Sequence, residues 1–372
     1  MPDTPQIFAG VMSGTSLDGV DAVVADFAPA GGGICSTLGH AHLAFAPDLR
    51  AELLALQATG PDELVRAARA ANQLADLYAQ AIAAACSDAN IAPGAIIAAG
   101  VHGQTVRHRP AEGWTWQINN PSRVAERAGM TIVADFRSRD IAAGGQGAPL
   151  VPAFHAALFG AADRHRVIVN LGGIANITDL PPHGTVRGFD TGPGNVLLDL
   201  WCSRHRGTAF DAAGAWAASG TPDAAALRAL HDEPFLALPP PKSTGRDLFN
   251  AAWLDAHLAA IPWRGVAQDM QATLTAYSAQ TVAAAINAHA QGATDVLVAG
   301  GGARNATLLR MLAAALPGLR VATTDTLGVA SDHVEALAFA WLAREALAGR
   351  PGNLPAVTGA GGLRILGAIH PR

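Results

Sequence analysis

Short apolar runs alternate with longer stretches in which apolar residues return every three or four positions, and this alternation predicts an α/β architecture. Residues 7–12 and 20–27 read as two strands. The turn between them, Ser13-Gly14-Thr15-Ser16-Leu17-Asp18-Gly19, is rich in hydroxyls and glycine. Over residues 61–86, Leu64, Ala68, Ala71, Leu74 and Tyr78 share one helical face, and Pro61 suits a first turn. Strands are predicted at 96–101, 114–118 and 131–136, with a short helix opened by Asn120-Pro121 before the last. The theme then restarts: a strand at 167–171, the turn Gly172-Gly173, and a strand at 174–178. A repeated strand, glycine turn and strand implies two related lobes, at 1–160 and 161–344, with the tail 345–372 packing on the first. Asp269 is expected to cap a helix. A strand at 295–299 leads through Gly300-Gly301-Gly302-Ala303-Arg304-Asn305 into a helix ending near Leu316, and a last helix begins at Asp332. The Gly/Pro-punctuated chain after Gly349 is expected at the surface.

Composition narrows the class. Half of the 372 residues are apolar and 15% are charged, which suits a compact globule large enough for two cores. The net charge is −5, Lys242 is the only lysine, and no basic stripe appears, so nucleic acid is a poor partner. Cys35, Cys86 and Cys202 are too scattered for a metal knuckle and read as small buried hydrophobes. The N-terminus has neither the basic nor the apolar region of a signal peptide, and no apolar run reaches membrane-spanning length; a cytoplasmic protein without membrane contact is expected. P-loop, Rossmann and kinase-loop signatures are absent, as are H-E-x-x-H and G-x-S-x-G.

Several segments could carry chemistry, each beside a plainer reading. Residues 13–19 could converge backbone N–H groups and hydroxyls on phosphate oxygens, with Asp18 orienting a bound metal or water, or could be an ordinary hairpin loop. Gly172-Gly173 makes a similar claim. Gly300–Gly302 could admit a ligand to the backbone, or could serve packing alone. Asp190, in Gly188-Phe189-Asp190-Thr191-Gly192-Pro193-Gly194-Asn195, ends a strand and suits a general base, or a turn-forming carboxylate. Asp332-x-x-Glu335 fits a reciprocal helix cap. Arg137 and Arg139 could fork onto a carboxylate or phosphate, and Gln146 could meet sugar hydroxyls, against the alternative of a solvated charged loop. His102 and Gln104 follow a strand, where a lone histidine is more often structural. Trp114 and Trp116 share a strand face that reads as core.

Together the segments 12–19, 101–105, 134–149, 170–176, 188–195, 242–246 and 300–305 resemble the ordered motifs of the anhydro-N-acetylmuramic acid kinase family. The resemblance implies an actin-like, ribonuclease H-like ATPase fold: two lobes, each a mixed sheet flanked by helices, closing on ATP. It implies a cytoplasmic homodimer using ATP and Mg2+ to convert 1,6-anhydro-N-acetylmuramate and water into N-acetylmuramate 6-phosphate in cell-wall recycling. By position, Ser13, Gly14, Thr15, Ser16, Leu17, Asp18, Gly19 and Val20, with Gly172, Gly173, Gly301, Gly302 and Asn305, would bind the nucleotide. Asp190 would be the base and Glu335 would orient the water or a metal-bound water. His102, Gln104, Arg137, Arg139 and Gln146 would contact the sugar. Thr191 departs from the Cys expected in some relatives, while the Gly-Pro-Gly-Asn after it is intact. A plain sugar kinase of the same fold and an actin-like assembly or chaperone ATPase are the competing readings.

Overall fold

A computed structural model describes residues 5–14, 16–28, 35–261, 263 and 265–372. The chain forms two compact units, Met1–Leu158 with His333–Arg372, and Phe159–Asp332.

In the first unit, β1 (Ile7–Met12) and β2 (Gly19–Asp26) form the expected antiparallel hairpin, with Met12 opposite Asp21. β3 (Ser36–Ala44) extends it beyond β2. β4 (Ala98–Val101) adds parallel to β1. β5 (Gln104–Arg109) and β6 (Trp114–Ile118) leave the sheet as a separate hairpin, and β7 (Ile132–Ala134) lies parallel to β4. Alternation along β1 sends its two faces to different helices. Ile7, Ala9 and Val11 join the core under the helix Glu63–Asp88, through Ala67, Ala70, Leu74, Tyr78 and Ile82. On the other face Gly10 and Gly100 admit the helix Val334–Leu347: a Cβ on Gly10 would lie 2.0 Å from Ala336 O, and one on Gly100 1.9 Å from Phe339 O.

In the second unit β8 (Arg166–Leu171), β9 (Ile174–Leu180) and β10 (Arg187–Pro193) form an antiparallel meander. β11 (Asp295–Ala299) runs parallel to β8, and β12 (Arg320–Thr323) parallel to β11. Val167, Val169, Val296 and Val298 pack with Val282, Ile286, Leu308 and Leu312 of the helices Ala267–His289 and Ala306–Ala315. The order β12-β11-β8-β9-β10 repeats β7-β4-β1-β2-β3, so the two glycine turns occupy equivalent places in two mixed sheets.

Several expectations need correction. The tail is not a surface appendage: β13 (Ala368–His370) pairs with β7, and Asn353, Val357, Thr358 and Leu366 are buried. Backbone pairing at a sheet edge outweighs the local turn signals of its glycines. Trp114 and Trp116 are 39% and 38% exposed, because their hairpin stands apart from the main sheet. Leu64 and Ala68 are exposed; burial on that helix begins at Ala67, while Glu63 in its first turn is held at the surface by Arg107. Asp269 falls in the first turn of its helix rather than at the cap, where its carboxylate accepts the Thr221 N–H at 2.8 Å. The last helix runs from Val334, later than expected, with His333 rather than Asp332 at its cap position and making no side-chain cap bond, and Asp332 pairs with Arg304.

Candidate active site

The turn between β1 and β2 is tied inward. Ser13 is buried, accepts from the Tyr78 hydroxyl at 2.8 Å and donates to Gly103 O at 3.3 Å. Gln104, fully buried, donates Nε2 to Gly14 O at 3.1 Å, and the Leu17 N–H reaches the same carbonyl at 3.3 Å. Leu17 has φ 56°, and its own carbonyl accepts Arg50 Nε at 2.9 Å. Gly19 has no room for a Cβ, which would lie 2.4 Å from Leu43 O, and Val20 is fully buried. Exposed on this turn are Ser16 and Asp18, joined by a 2.6 Å hydrogen bond from Ser16 Oγ. Thr15 lies outside the described residues.

Beside the turn, His102 accepts from Arg137 Nε at 3.0 Å and from Nη2 at 2.9 Å, both on Nε2, while Nη1 donates to Gly147 O at 2.8 Å. Burial, with the Arg137 charge second, holds the imidazole pKa well below its usual value, so His102 is neutral with its proton on Nδ1. Burial also lowers the Arg137 guanidinium, to about 10, against the pull of the Glu335 and Asp140 carboxylates. Glu335 is half-buried in the first turn of its helix, within electrostatic reach of Arg137. The structure therefore gathers His102, Gln104, Arg137 and Glu335 near the turn. Arg139 is exposed, and Gln146 is anchored through its backbone N–H to Thr358 O at 2.7 Å, with an exposed side chain.

Asp140 organises the loop that carries Gln146. Fully buried, it accepts the Gly147 N–H on Oδ2 at 2.8 Å, and Asn353 Nδ2 and Thr358 Oγ1 on Oδ1, each at 2.8 Å. Two of these three partners lie more than 200 residues away in sequence, so no local pattern announces the role.

In the second unit Gly172 and Gly173 leave space on their outer side: a Cβ on Gly173 would meet nothing nearer than Arg246 Nη2, at 3.9 Å. Their carbonyls accept the N–H groups of Gly194, Asn195 and Val196 at 2.8–3.0 Å, fixing the start of the helix Val196–Arg206 on the turn. Gly300 and Gly302 pack on Leu171, whereas a Cβ on Gly301 would meet nothing within 4 Å. Asn305 is an N-cap, accepting the Leu308 N–H at 3.0 Å.

Asp190 stands within β10 beside a bulge, rather than at a strand end. Its Oδ2 accepts the Thr244 N–H at 2.9 Å and the Ser243 hydroxyl at 3.0 Å, and its own N–H donates to Lys242 O at 3.1 Å. Burial raises its carboxyl pKa to about 6, against those two donors and the Lys242 charge. A carboxylate with that proton affinity is ionised at neutral pH yet able to take a proton. Within the segment 242–246, individual roles emerge only from the fold: Ser243 and Thr244 donate to Asp190 Oδ2, and the Arg246 guanidinium lies on the open side of Gly173.

Among known proteins, the profile of the family described as Anhydro-N-acetylmuramic acid kinase matches residues 6–372. A protein of that name from Thiobacillus denitrificans is 54% identical over 98% of this chain and 97% of its own length. Another from Bordetella petrii is 55% identical over 98% of this chain and 96% of its own. Among solved structures, the dehydratase component A of (R)-2-hydroxyglutaryl-CoA dehydratase from Acidaminococcus fermentans is similar at 12% identity, with a TM-score of 0.49 over 90% of this chain and 96% of that one.

Proposed function

Since the chain belongs to the anhydro-N-acetylmuramic acid kinase family, we propose that Asp190 is the base by which this kinase activates water against the anhydro bridge of its substrate. The chain is an ATP-dependent phosphotransferase acting on anhydro-N-acetylmuramic acid. A 1,6-anhydro bridge is an internal glycoside, so opening it requires a nucleophile at the anomeric carbon and a group to take O6. Water attacks the anomeric carbon while its proton passes to Asp190. The bond from that carbon to O6 breaks, and O6 captures the γ-phosphoryl group, releasing ADP and N-acetylmuramate 6-phosphate. The phosphoryl group thus replaces the protonating acid of an ordinary glycosidase. The observation that carries this reading is Asp190 itself: two donors occupy Oδ2, Oδ1 receives no hydrogen bond among the described residues, and burial strengthens the base.

The open sides of Gly172, Gly173 and Gly301 and the exposed groups of the Ser13–Val20 turn suit the nucleotide, with positioning and charge neutralisation supplying most of the catalysis. Asn305 would support Gly301 and Gly302 as a cap. Arg137, Arg139, Gln146, His102 and Gln104 would serve the sugar, with Glu335 orienting water or Arg137. Mg2+ would arrive with the triphosphate and neutralise its charge. Such an ion would be bound mainly through phosphate and water, with Asp18 as the exposed carboxylate to complete its shell. A homodimer and a cytoplasmic location in cell-wall recycling belong to the same proposal; among the described residues no helix is long and apolar enough to cross a membrane.

Turnover of 1,6-anhydro-N-acetylmuramate in 18O-labelled water tests the chemistry. Label on the product's anomeric oxygen is expected, together with loss of turnover but retained nucleotide binding in Asp190→Asn. Unlabelled product would mean phosphorylation of an existing hydroxyl, and an active Asp190→Asn enzyme would remove the base from its role.

A further inference from the structure

We propose that Lys242, Ser243 and Thr244 form a latched strap that positions Asp190, with the Lys242 ammonium as its latch and the Ser243 hydroxyl as the contact that orients the base. The proposal rests on Asp190 being the base. The chain of contacts starts deep in the second unit. Buried Glu233 accepts Trp253 Nε1 at 2.7 Å and the Phe235 N–H at 3.0 Å, fixing the short turn Pro234–Ala237. Lys242 Nζ then donates to Phe235 O at 3.1 Å and Leu236 O at 2.9 Å and lies 4.7 Å from the centre of the Phe235 ring. A cation placed on carbonyls at the end of a turn and over an aromatic face is held by its charge as well as by its hydrogen bonds. With Lys242 pinned, its carbonyl takes the Asp190 N–H, and the next two residues present a hydroxyl and an N–H to Oδ2.

The consequence is a carboxylate with one oxygen held and the other directed. Were Oδ2 free, the group would rotate about its last torsion and spend part of its time with neither oxygen aimed. The strap also opposes the effect of burial, because a donor and a nearby cation both favour the ionised form. The charge that acts on the Asp190 carboxyl is Lys242 on the strap, and His289, at the end of its helix, stands edge-to-face with the ring of Phe189, the residue before Asp190. Burial lowers the His289 pKa first, then Arg187 and Lys242, so that imidazole adds no charge at neutral pH. Lys242 is the sole lysine of the chain, so an amine-specific change acts on this latch and the N-terminus alone.

The test is the pH profile of kcat/KM for Ser243→Ala, Ser243→Thr and Lys242→Met, with Asp190→Asn beside them. Removing the hydroxyl or the ammonium takes away a group that favours the ionised carboxylate, so the acid limb should move to higher pH, by about half to one unit. Activity then falls several-fold at pH 6 and recovers toward pH 9, while Ser243→Thr restores the native limb. A uniform loss at every pH, or an unmoved limb in Ser243→Ala, overturns the proposal. Ser243 is exposed, so its variant should fold and decides the question even if Lys242→Met does not. Turnover in Asp190→Asn would instead overturn the base assignment, leaving the two failures distinct.

Discussion

Two donors of the Arg137 guanidinium, Nε and Nη2, converge on a single acceptor, His102 Nε2, at 3.0 and 2.9 Å. Only a neutral imidazole can receive them, so the histidine's role is to anchor a cation in a buried setting. Deleting the ring leaves buried N–H groups without an acceptor, which costs about 1–3 kcal/mol. His102→Ala should therefore lose stability and at least tenfold in kcat/KM through a loosened Arg137. His102→Gln, which keeps an acceptor, should recover part of both in paired melting and kinetic assays.

Acid should destabilise the chain before carboxylates of ordinary pKa titrate. His102 and His155 are fully buried and held below their ordinary pKa, His155 at about 3, so each binds a proton in the unfolded state that it refuses when folded. Stability is thus lost as pH falls below about 6.5, and His155 alone accounts for about 2 kcal/mol by pH 5. The thermal midpoint should drop between pH 7 and 5. It should drop less in His155→Leu, whatever that variant's absolute stability; an equal drop would contradict the assignment.

Asp190 pushes the other way. Its carboxyl is raised from 3.8 to about 6, so holding it ionised in the fold at pH 7 costs stability, by as much as about 3 kcal/mol. Asp190→Asn keeps an oxygen for Ser243 and Thr244 and removes that penalty. It should melt higher than the native chain at pH 7, with the difference shrinking toward pH 4, while turnover is lost. A lower melting point would show that burial is not what strains this group.

Asp140 predicts a link between the sugar-side loop and the C-terminus. Asp140→Asn exchanges an acceptor for a donor among three donors and should cost about 2–4 kcal/mol. Hydrogen exchange should quicken both at residues 144–147 and in the segment carrying Asn353 and Thr358. Faster exchange in only one of the two would break the link.

Two glycines should respond oppositely to alanine. Gly100→Ala drives a Cβ to 1.9 Å from Phe339 O and should abolish soluble expression or cost well over 3 kcal/mol, whereas Gly301→Ala meets nothing within 4 Å. The second variant should fold normally and raise the KM for ATP; unchanged kinetics would separate Gly301 from the nucleotide.

Local pattern carried much of this molecule. The paired strand–glycine–strand units were legible because period-two alternation and turn chemistry act over a few residues, and two copies of one local device imply two copies of one sheet. Asp190 stood out because a carboxylate among three nearby glycines, Gly188, Gly192 and Gly194, is poorly explained by packing. β10 itself was harder to see, since those same glycines hide a strand whose partners supply its order.

The remainder depends on residues distant in sequence. Whether Trp114 and Trp116 are core or surface follows from where their hairpin leaves the sheet, and alternation alone is blind to that. Glu335 could cap its own helix or act on Arg137, and only packing chooses between the two. Asp140 meets Thr358, and Asp190 meets Ser243, across gaps that no window of sequence spans. Backbone preferences are local and are written in neighbouring side chains; burial, proton affinity and the direction of a carboxylate are set by whatever folding brings alongside.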